Sequence, residues 1–377
     1  MYISTPQDLA EFCEHAAAFD AVAVDTEFLR ERTYRPRLCL IQVATPERIA
    51  AIDPLALDDL GALAELMRNR RVVKVFHACG QDLEVLNAAL GALPKPIFDT
   101  QVAAAFLGQR VQCSYNELVR TYCGVNLPKV ESLTDWARRP LTDSQLEYAL
   151  DDVRYLIQAY PAIRRELDRK GRLSWVASEL APLADPEHYR VDRFAVYKRV
   201  KRVTSLTRHQ LAVCREVAAW RETRAEKSNV PRKWVMSDET LLAVCKRAPG
   251  DAVDLRRVRG TEQLSDRDAE LVVAAVRRGL ACPAEKLPPA NKPRRAPDTE
   301  LECVSDLMYA LLRLVAERSG VATTMIASRD DLIGYVTDPQ ESRLSTGWRH
   351  ELLGSTLDDL LAGRVGLTVK DRSVELL

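Results

Sequence analysis

Residues 21–28 read AVAVDTEF, an apolar run of strand character that ends in two carboxylates one residue apart, Asp25 and Glu27. Side chains on a strand alternate in direction, so both acids leave the sheet on the same side. Like charges held together away from water are costly unless a proton or a cation offsets them. A divalent cation is one natural partner, and an ordinary carboxylate pair at a loop entry is the competing reading. The choice depends on whether other acids converge on the same place. HACGQD, at 77–82, follows a β-branched strand and opens a helix, which puts Asp82 in a first turn where an acid also serves the helix dipole. Tyr148 and Asp152 are four residues apart in a helical segment and share a face. Asp151 is rotated from Asp152 by about 100° and suits a solvated position. In IFDTQVAAAFLG, at 97–108, capping accounts for Asp99 and Thr100.

The elements that must hold these residues follow from period and punctuation. Thr5 before Pro6 opens a short amphipathic helix within 4–19. Strands are predicted over Ala21–Phe28, Arg37–Thr45, Arg48–Asp53 and Arg71–His77, with a helix over Leu57–Met67. Strands alternating with helices give an α/β layer architecture whose mixed sheet starts with an antiparallel meander. Asn116–Tyr122 is helical, Val125–Thr142 is an irregular stretch with a short helix, and TDSQ at 142–145 is a capping box that starts a longer helix carrying Tyr148 and Asp152.

Composition bounds the function classes. Across 377 residues, which call for two or three domains, Lys plus Arg and Asp plus Glu each number 54. The balance is local rather than uniform: 190–233 holds 13 basic against 4 acidic residues, while 1–100 holds 10 against 15. Such an asymmetry suits a cation site beside a polyanion-binding surface, or simply a solvated helical face. The nine cysteines are scattered without a zinc spacing, the N-terminus lacks a signal-peptide layout, and no apolar run approaches the ~20 residues of a membrane span. A cytoplasmic protein with reduced thiols and no obligate protein partner is expected.

Taken together, Asp25 and Glu27 on a first strand, Asp82 after a later strand, and Tyr148 with Asp152 on a helix resemble the three exonuclease motifs of the DEDD superfamily, in its tyrosine subclass. The wording DTEFLRERTYRPRLCLIQ, FHACGQDLEVL, FDTQVAAAFLG and YALDDVRYL resembles the bacterial ribonuclease D family. The resemblance implies a ribonuclease-H-like exonuclease domain over 1–168, a mixed sheet flanked by helices, and two-metal 3′-to-5′ hydrolysis of phosphodiesters. Asp25, Glu27, Asp82 and Asp152 would then be ligands of two divalent cations, Mg²⁺ or Mn²⁺, about 4 Å apart. It implies Asp25 as the bridging ligand, Glu27 and Asp152 on the cation that takes the attacking water, and Asp82 acting on the other, directly or through water. Tyr148 would orient that water, since a phenol with a reference pKa near ~10 is a poor base.

PLADPEHY at 182–189 is rich in turn formers and marks a boundary after a connecting segment, 169–205. The region 206–284 is helical in period and resembles the HRDC domain. Lys198, Arg199, Lys201, Arg202, Arg232 and Lys233 suit phosphate contacts, and Trp234 reads either as a base-stacking aromatic or as a core residue. KLPPANKPRRAP, at 286–297, lies in a linker assigned to 285–298, and 299–377 is helical and takes the place of a second small all-α HRDC-like domain. The family implies RNA with a single-stranded 3′ end as substrate, transfer-RNA precursors above all. A DNA-directed exonuclease and a catalytically inert nucleic-acid-binding protein are the alternatives, because no residue in the sequence identifies a 2′-hydroxyl sensor.

Overall fold

The alternation of apolar strands and amphipathic helices folds into one six-stranded sheet with the acidic strand near its middle. A computed structural model of the chain describes residues 1–128, 134–289 and 298–377. Strand β1 (Tyr2–Ile3) leads into α1 (Pro6–Ala16), which starts where the Thr5 hydroxyl accepts from the Asp8 N–H ahead of Pro6. Then follow β2 (Ala21–Leu29), β3 (Arg37–Ala44), β4 (Ile49–Ile52), α2 (Gly61–Arg68), β5 (Val73–Phe76), α3 (Gly80–Leu90), β6 (Ile97–Asp99), α4 (Thr100–Ala105), α5 (Tyr115–Cys123), α6 (Asp143–Arg169) and α7 (Leu173–Leu180). The strand order is β1-β4-β3-β2-β5-β6. β2 runs parallel to β5, β5 to β6 and β1 to β4, whereas β3 and β4 are antiparallel, so the sheet is mixed. Ala21–Val24 are all buried, as in a strand covered on both faces, and the polarity changes at Asp25.

Helix α6 begins at the predicted capping box: the Thr142 hydroxyl accepts from the Gln145 N–H while the Gln145 side chain accepts from the Thr142 N–H. The short helix expected within 125–142 does not form among the described residues of that stretch. Residues 129–133 lie outside those described, and 134–142 are turns. PLADPEHY folds as two short 3₁₀ turns.

The second half holds α8 (Arg208–Ser228), α9 (Arg232–Val235), α10 (Asp238–Arg247), α11 (Ala252–Arg256) and α12 (Asp266–Leu280). Gly279 lets α12 approach α8, because a Cβ there would meet the Val213 Cα at 2.4 Å. Most of the predicted linker, residues 290–297, lies outside those described. The C-terminal part comprises α13 (Thr299–Ser319), α14 (Thr323–Ile326), α15 (Arg329–Thr337), α16 (Gly347–Arg349) and α17 (Ser355–Leu361). It ends in an unexpected antiparallel hairpin of β7 (Leu367–Lys370) and β8 (Ser373–Leu376).

Contacts divide the chain into two compact units. One comprises Met1–Glu27, Cys39–His188 and Ala296–Leu377, and the other Phe28–Leu38 with Tyr189–Arg295. In the second unit the segment that follows the acidic strand is fastened to α8: the Tyr34 hydroxyl donates to Glu222, Arg35 donates to Glu226 at 2.8 Å, and the Arg232 guanidinium lies over the Tyr34 ring. Among the described residues no cysteine is in a disulfide and no helix is long and apolar enough to cross a membrane.

Candidate active site

The end of β2 and one face of α6 meet at a group of carboxylates. Asp25, Glu27 and Asp152 each present an oxygen within 4.8 Å of the others. Asp25 and Glu27 share a face because they alternate along β2, and Asp152 reaches them from the tenth residue of α6, one turn beyond Tyr148. Burial, then the charges of Asp82, Asp152 and Glu27, raise the Asp25 carboxyl well above the carboxylate range. Burial, reinforced by Asp152 and Asp82, pushes Glu27 up to about 8. Burial with the charges of Asp151 and Asp82 brings Asp152 to about 7. An all-oxygen group whose repulsion holds protons at neutral pH fits a hard divalent cation, which can replace those protons.

Asp82 stands outside this three-oxygen group, yet its charge acts on all three members. Its orientation is set by Thr26, whose hydroxyl donates to Asp82 Oδ1 at 2.5 Å. Burial raises Asp82 to about 6 against the lowering effect of that hydrogen bond. The turn that delivers Asp82 to the site depends on a second acid. Ala78 has φ +62°, and the Ala78 and Cys79 N–H groups donate to Asp99 at 3.1 and 2.7 Å. Asp99 also caps α4 by accepting from the Gln101 and Val102 N–H groups, the role its sequence context predicts. Its hold on the β5–α3 turn adds to that role.

Tyr148 is half-buried beside the carboxylates, with its ring 6.1 Å from that of Trp136. Burial, then Asp152, Glu27 and Asp25, raise its phenol far above the ordinary value, so it is a hydrogen-bond donor rather than a base. Asp151, expected in solvent, is half-buried, and its carboxylate pairs with Arg154. Trp136 is buried in a segment braced by Arg139, which donates to both oxygens of Asp53 at 2.6 Å and to the Cys39 and Trp136 carbonyls. Thr26, Asp99, Trp136 and the Asp53–Arg139 pair were not singled out for these roles from sequence. The one available signal was Thr26, which sits between the two acids.

The basic residues lie on the second unit. Lys198, Arg199, Lys201, Arg202, Arg232, Lys233 and Trp234 are exposed, with Trp234 at 52% resolving its two readings in favour of the surface. Arg199, Lys201, Arg232 and Lys233 line a cleft of about 460 Å³. Arg232 differs from the others because its guanidinium donates to both oxygens of buried Glu222, at 2.5 and 2.7 Å.

Residues 1–168 match the family model described as 3′-5′ exonuclease, and residues 210–276 match that of the HRDC domain. The chain is 42% identical to ribonuclease D of Jannaschia sp. (strain CCS1), over 100% of this chain and 98% of that protein. It is 39% identical to ribonuclease D of Acidiphilium cryptum (strain JF-5), over 100% and 96%. The crystal structure of Escherichia coli RNase D, an exoribonuclease involved in structured RNA processing, matches with a TM-score of 0.83 at 31% identity, over 96% of this chain and 98% of that one. The acidic group at the end of β2 therefore lies in an exonuclease domain with full-length relatives of one kind, and the chain belongs to the ribonuclease D family of 3′-to-5′ exoribonucleases, in the DEDD superfamily.

Proposed function

We propose that the protein trims the single-stranded 3′ ends of structured RNA, transfer-RNA precursors in particular, in the cytoplasm, releasing 5′-mononucleotides. The observation that carries this reading is the meeting of the Asp25, Glu27 and Asp152 oxygens within 4.8 Å in a 3′-5′ exonuclease domain. Asp25, Glu27, Asp82 and Asp152 would hold two divalent cations, Mg²⁺ or Mn²⁺. When bound, such cations acidify water and neutralise charge developing on phosphate oxygens. Tyr148, kept protonated, donates a hydrogen bond that orients the attacking water, and Thr26 and Asp99 keep Asp82 aimed at the same place. Lys198, Arg199, Lys201, Arg202, Lys233 and Trp234 contact the RNA strand through phosphates and base stacking. Arg232 shapes that surface through Glu222. The helices α13–α17 act as a second HRDC-like domain, a reading supported by their helical content and place in the chain.

The test uses 3′-extended transfer-RNA precursor and matching DNA, with Mg²⁺, Mn²⁺ or a chelator. Stepwise 3′ shortening of the RNA is expected, lost on chelation and in Asp25→Asn. Tyr148→Phe should lower turnover on the order of 10²-fold, as removal of one positioned donor does, with Mn²⁺ affinity measured by electron paramagnetic resonance unchanged. Preferential shortening of DNA would move the assignment to a DNA exonuclease. Metal-independent binding without shortening would make the protein an inert binder, and full turnover in Tyr148→Phe would remove the role given to Tyr148.

A further inference from the structure

Beside the carboxylates, on the same side of α6, lies a cleft of about 590 Å³ whose lining includes Asp135, Trp136, Arg138, Ser144 and Tyr148. This is within the range of about 300–1,000 Å³ typical of small-ligand sites. Ser144, Tyr148 and Asp152 are spaced by four residues along one helix, so they form a single stripe. At a rise of about 1.5 Å per residue, Ser144 and Asp152 are about 12 Å apart along the axis with Tyr148 midway. A chain whose reacting phosphodiester lies at Asp152 and Tyr148 therefore continues directly into the cleft.

The walls are fixed before any ligand arrives. Arg139 pins the 134–140 segment to Asp53, and the Gln145 amide donates to the Thr134 hydroxyl at 2.8 Å. Three polar side chains of the lining remain available, those of Ser144, Arg138 and Asp135. Among the described residues the Ser144 hydroxyl and the Arg138 guanidinium have no hydrogen-bond partner, and both residues are exposed. Asp135 Oδ1 accepts from the Ala137 N–H at 3.0 Å, which leaves Oδ2 as an acceptor. Trp136 is buried, and its ring neighbour is Tyr148, so it offers no open face on which a base could stack. A cation, a hydroxyl and a carboxylate together match a sugar hydroxyl and its phosphate.

We propose that this cleft is a ribonucleotide subsite in which Asp135 and Ser144 hydrogen-bond a ribose 2′-hydroxyl and Arg138 pairs with a phosphate. It deepens the exoribonuclease reading above and rests on it for the placement of the reacting bond. The subsite supplies what no motif in the sequence offers, a means of distinguishing RNA from DNA. Oδ2 of Asp135 accepts from the 2′-hydroxyl, and the Ser144 hydroxyl completes its hydrogen bonding. A deoxyribose leaves both protein groups without that partner.

The test compares wild type, Ser144→Ala and Ser144→Ala with Asp135→Asn. Substrates are matched RNA and DNA tails and RNA tails carrying a single 2′-deoxy sugar at successive positions from the 3′ end. In wild type the deoxy penalty is expected at one position, and in the double variant the ratio of kcat/KM for RNA over DNA falls about tenfold or more, the scale of a lost hydrogen bond to a charged group. Arg138→Ala raises KM for RNA and DNA alike and flattens the logarithmic salt dependence of binding by about 0.7, one phosphate's share on a single strand. Binding of the same oligonucleotides in a chelator, read by fluorescence anisotropy, separates this idea from the activity assignment. Loss of RNA preference in the double variant supports the subsite even if no shortening is ever seen. An unchanged RNA-to-DNA ratio in a double variant whose circular dichroism matches wild type, or a wild type with no position-specific deoxy penalty, overturns it.

Discussion

Glu27 shows how burial and repulsion prepare a residue for metal. Its carboxyl is pushed from an ordinary value of 4.5 up to about 8, so without a cation it carries a proton at neutral pH. A group that binds protons more tightly in the folded state than in the unfolded one gives stability that is complete below the unfolded value and is lost as pH rises through the folded one. In a chelator, the thermal midpoint should therefore fall as pH rises from about 4.5 to about 8. Adding Mg²⁺ should restore it, with release of protons to the buffer, and more so at the upper end of that window. Glu27→Gln should flatten both trends. Melting curves in a chelator that stay level across the window would contradict the protonated state assigned here. The acids themselves were readable in the sequence, since a motif names its residue types and spacing. Thr26 and Asp99 were not readable in the same way, because their second roles depend on which turns meet in space.

At the level of elements, the stretch 134–142 marks the difference between what period reveals and what tertiary contacts decide. A short helix is a reasonable expectation there, but Arg139 spends its donors on Asp53 and on the Cys39 and Trp136 carbonyls, which holds the described residues in turns. Asp53 is almost fully buried. Burial would raise its carboxyl, but hydrogen bonds from Arg139, Tyr2 and the Leu55 N–H outweigh this and leave it below the ordinary range. The sign is thus opposite to that of Glu27: the stabilisation is present above the unfolded value and is lost as pH falls through the lowered folded one. Arg139→Ala, which leaves Asp53 buried without its cation, should cost roughly 3–5 kcal/mol in a denaturation experiment. Asp53→Asn should remove the acid-side loss contributed by this pair, and an Arg139→Ala protein as stable as wild type would show the brace to be incidental. The C-terminal hairpin escaped a sequence reading for a related reason. Its turn places Asp371 and Arg372 at φ +49° and +67°, a conformation usually announced by Asn-Gly or Asp-Gly, and here neither residue is glycine.

At the scale of the whole molecule, domain boundaries read from composition describe the chain in sequence, whereas contacts join 296–377 to the exonuclease part in one compact unit. No pattern in the sequence announces this, because the joint is made by single aromatic residues on short elements far apart in the chain. Trp348 of α16 is buried, stacks on Trp175 of α7 at 5.3 Å between ring centroids, and meets the edge of Phe106 at 4.9 Å. Its indole N–H donates to Glu179, which also takes two hydrogen bonds from Arg349, and Arg172 reaches from the Phe106 carbonyl to that of Ser319. Offset aromatic pairs add about 0.5–1.5 kcal/mol beyond the area they bury. Removing a buried aromatic costs roughly 3–5 kcal/mol overall. Trp348→Ala should therefore lower the thermal midpoint and split the transition in calorimetry, as the C-terminal helices melt ahead of the sheet. The near-ultraviolet circular dichroism band from the coupled indoles should disappear even at temperatures where far-ultraviolet helicity is retained. Arg349→Ala keeps both indoles but removes the guanidinium that lies 4.3 Å over the Trp348 ring and its hydrogen bonds to Glu179 and to the Met325 and Ile326 carbonyls, so it should lower the midpoint while retaining an indole band. A single unshifted transition in Trp348→Ala would mean that the C-terminal helices are held to the exonuclease part by contacts other than this stack.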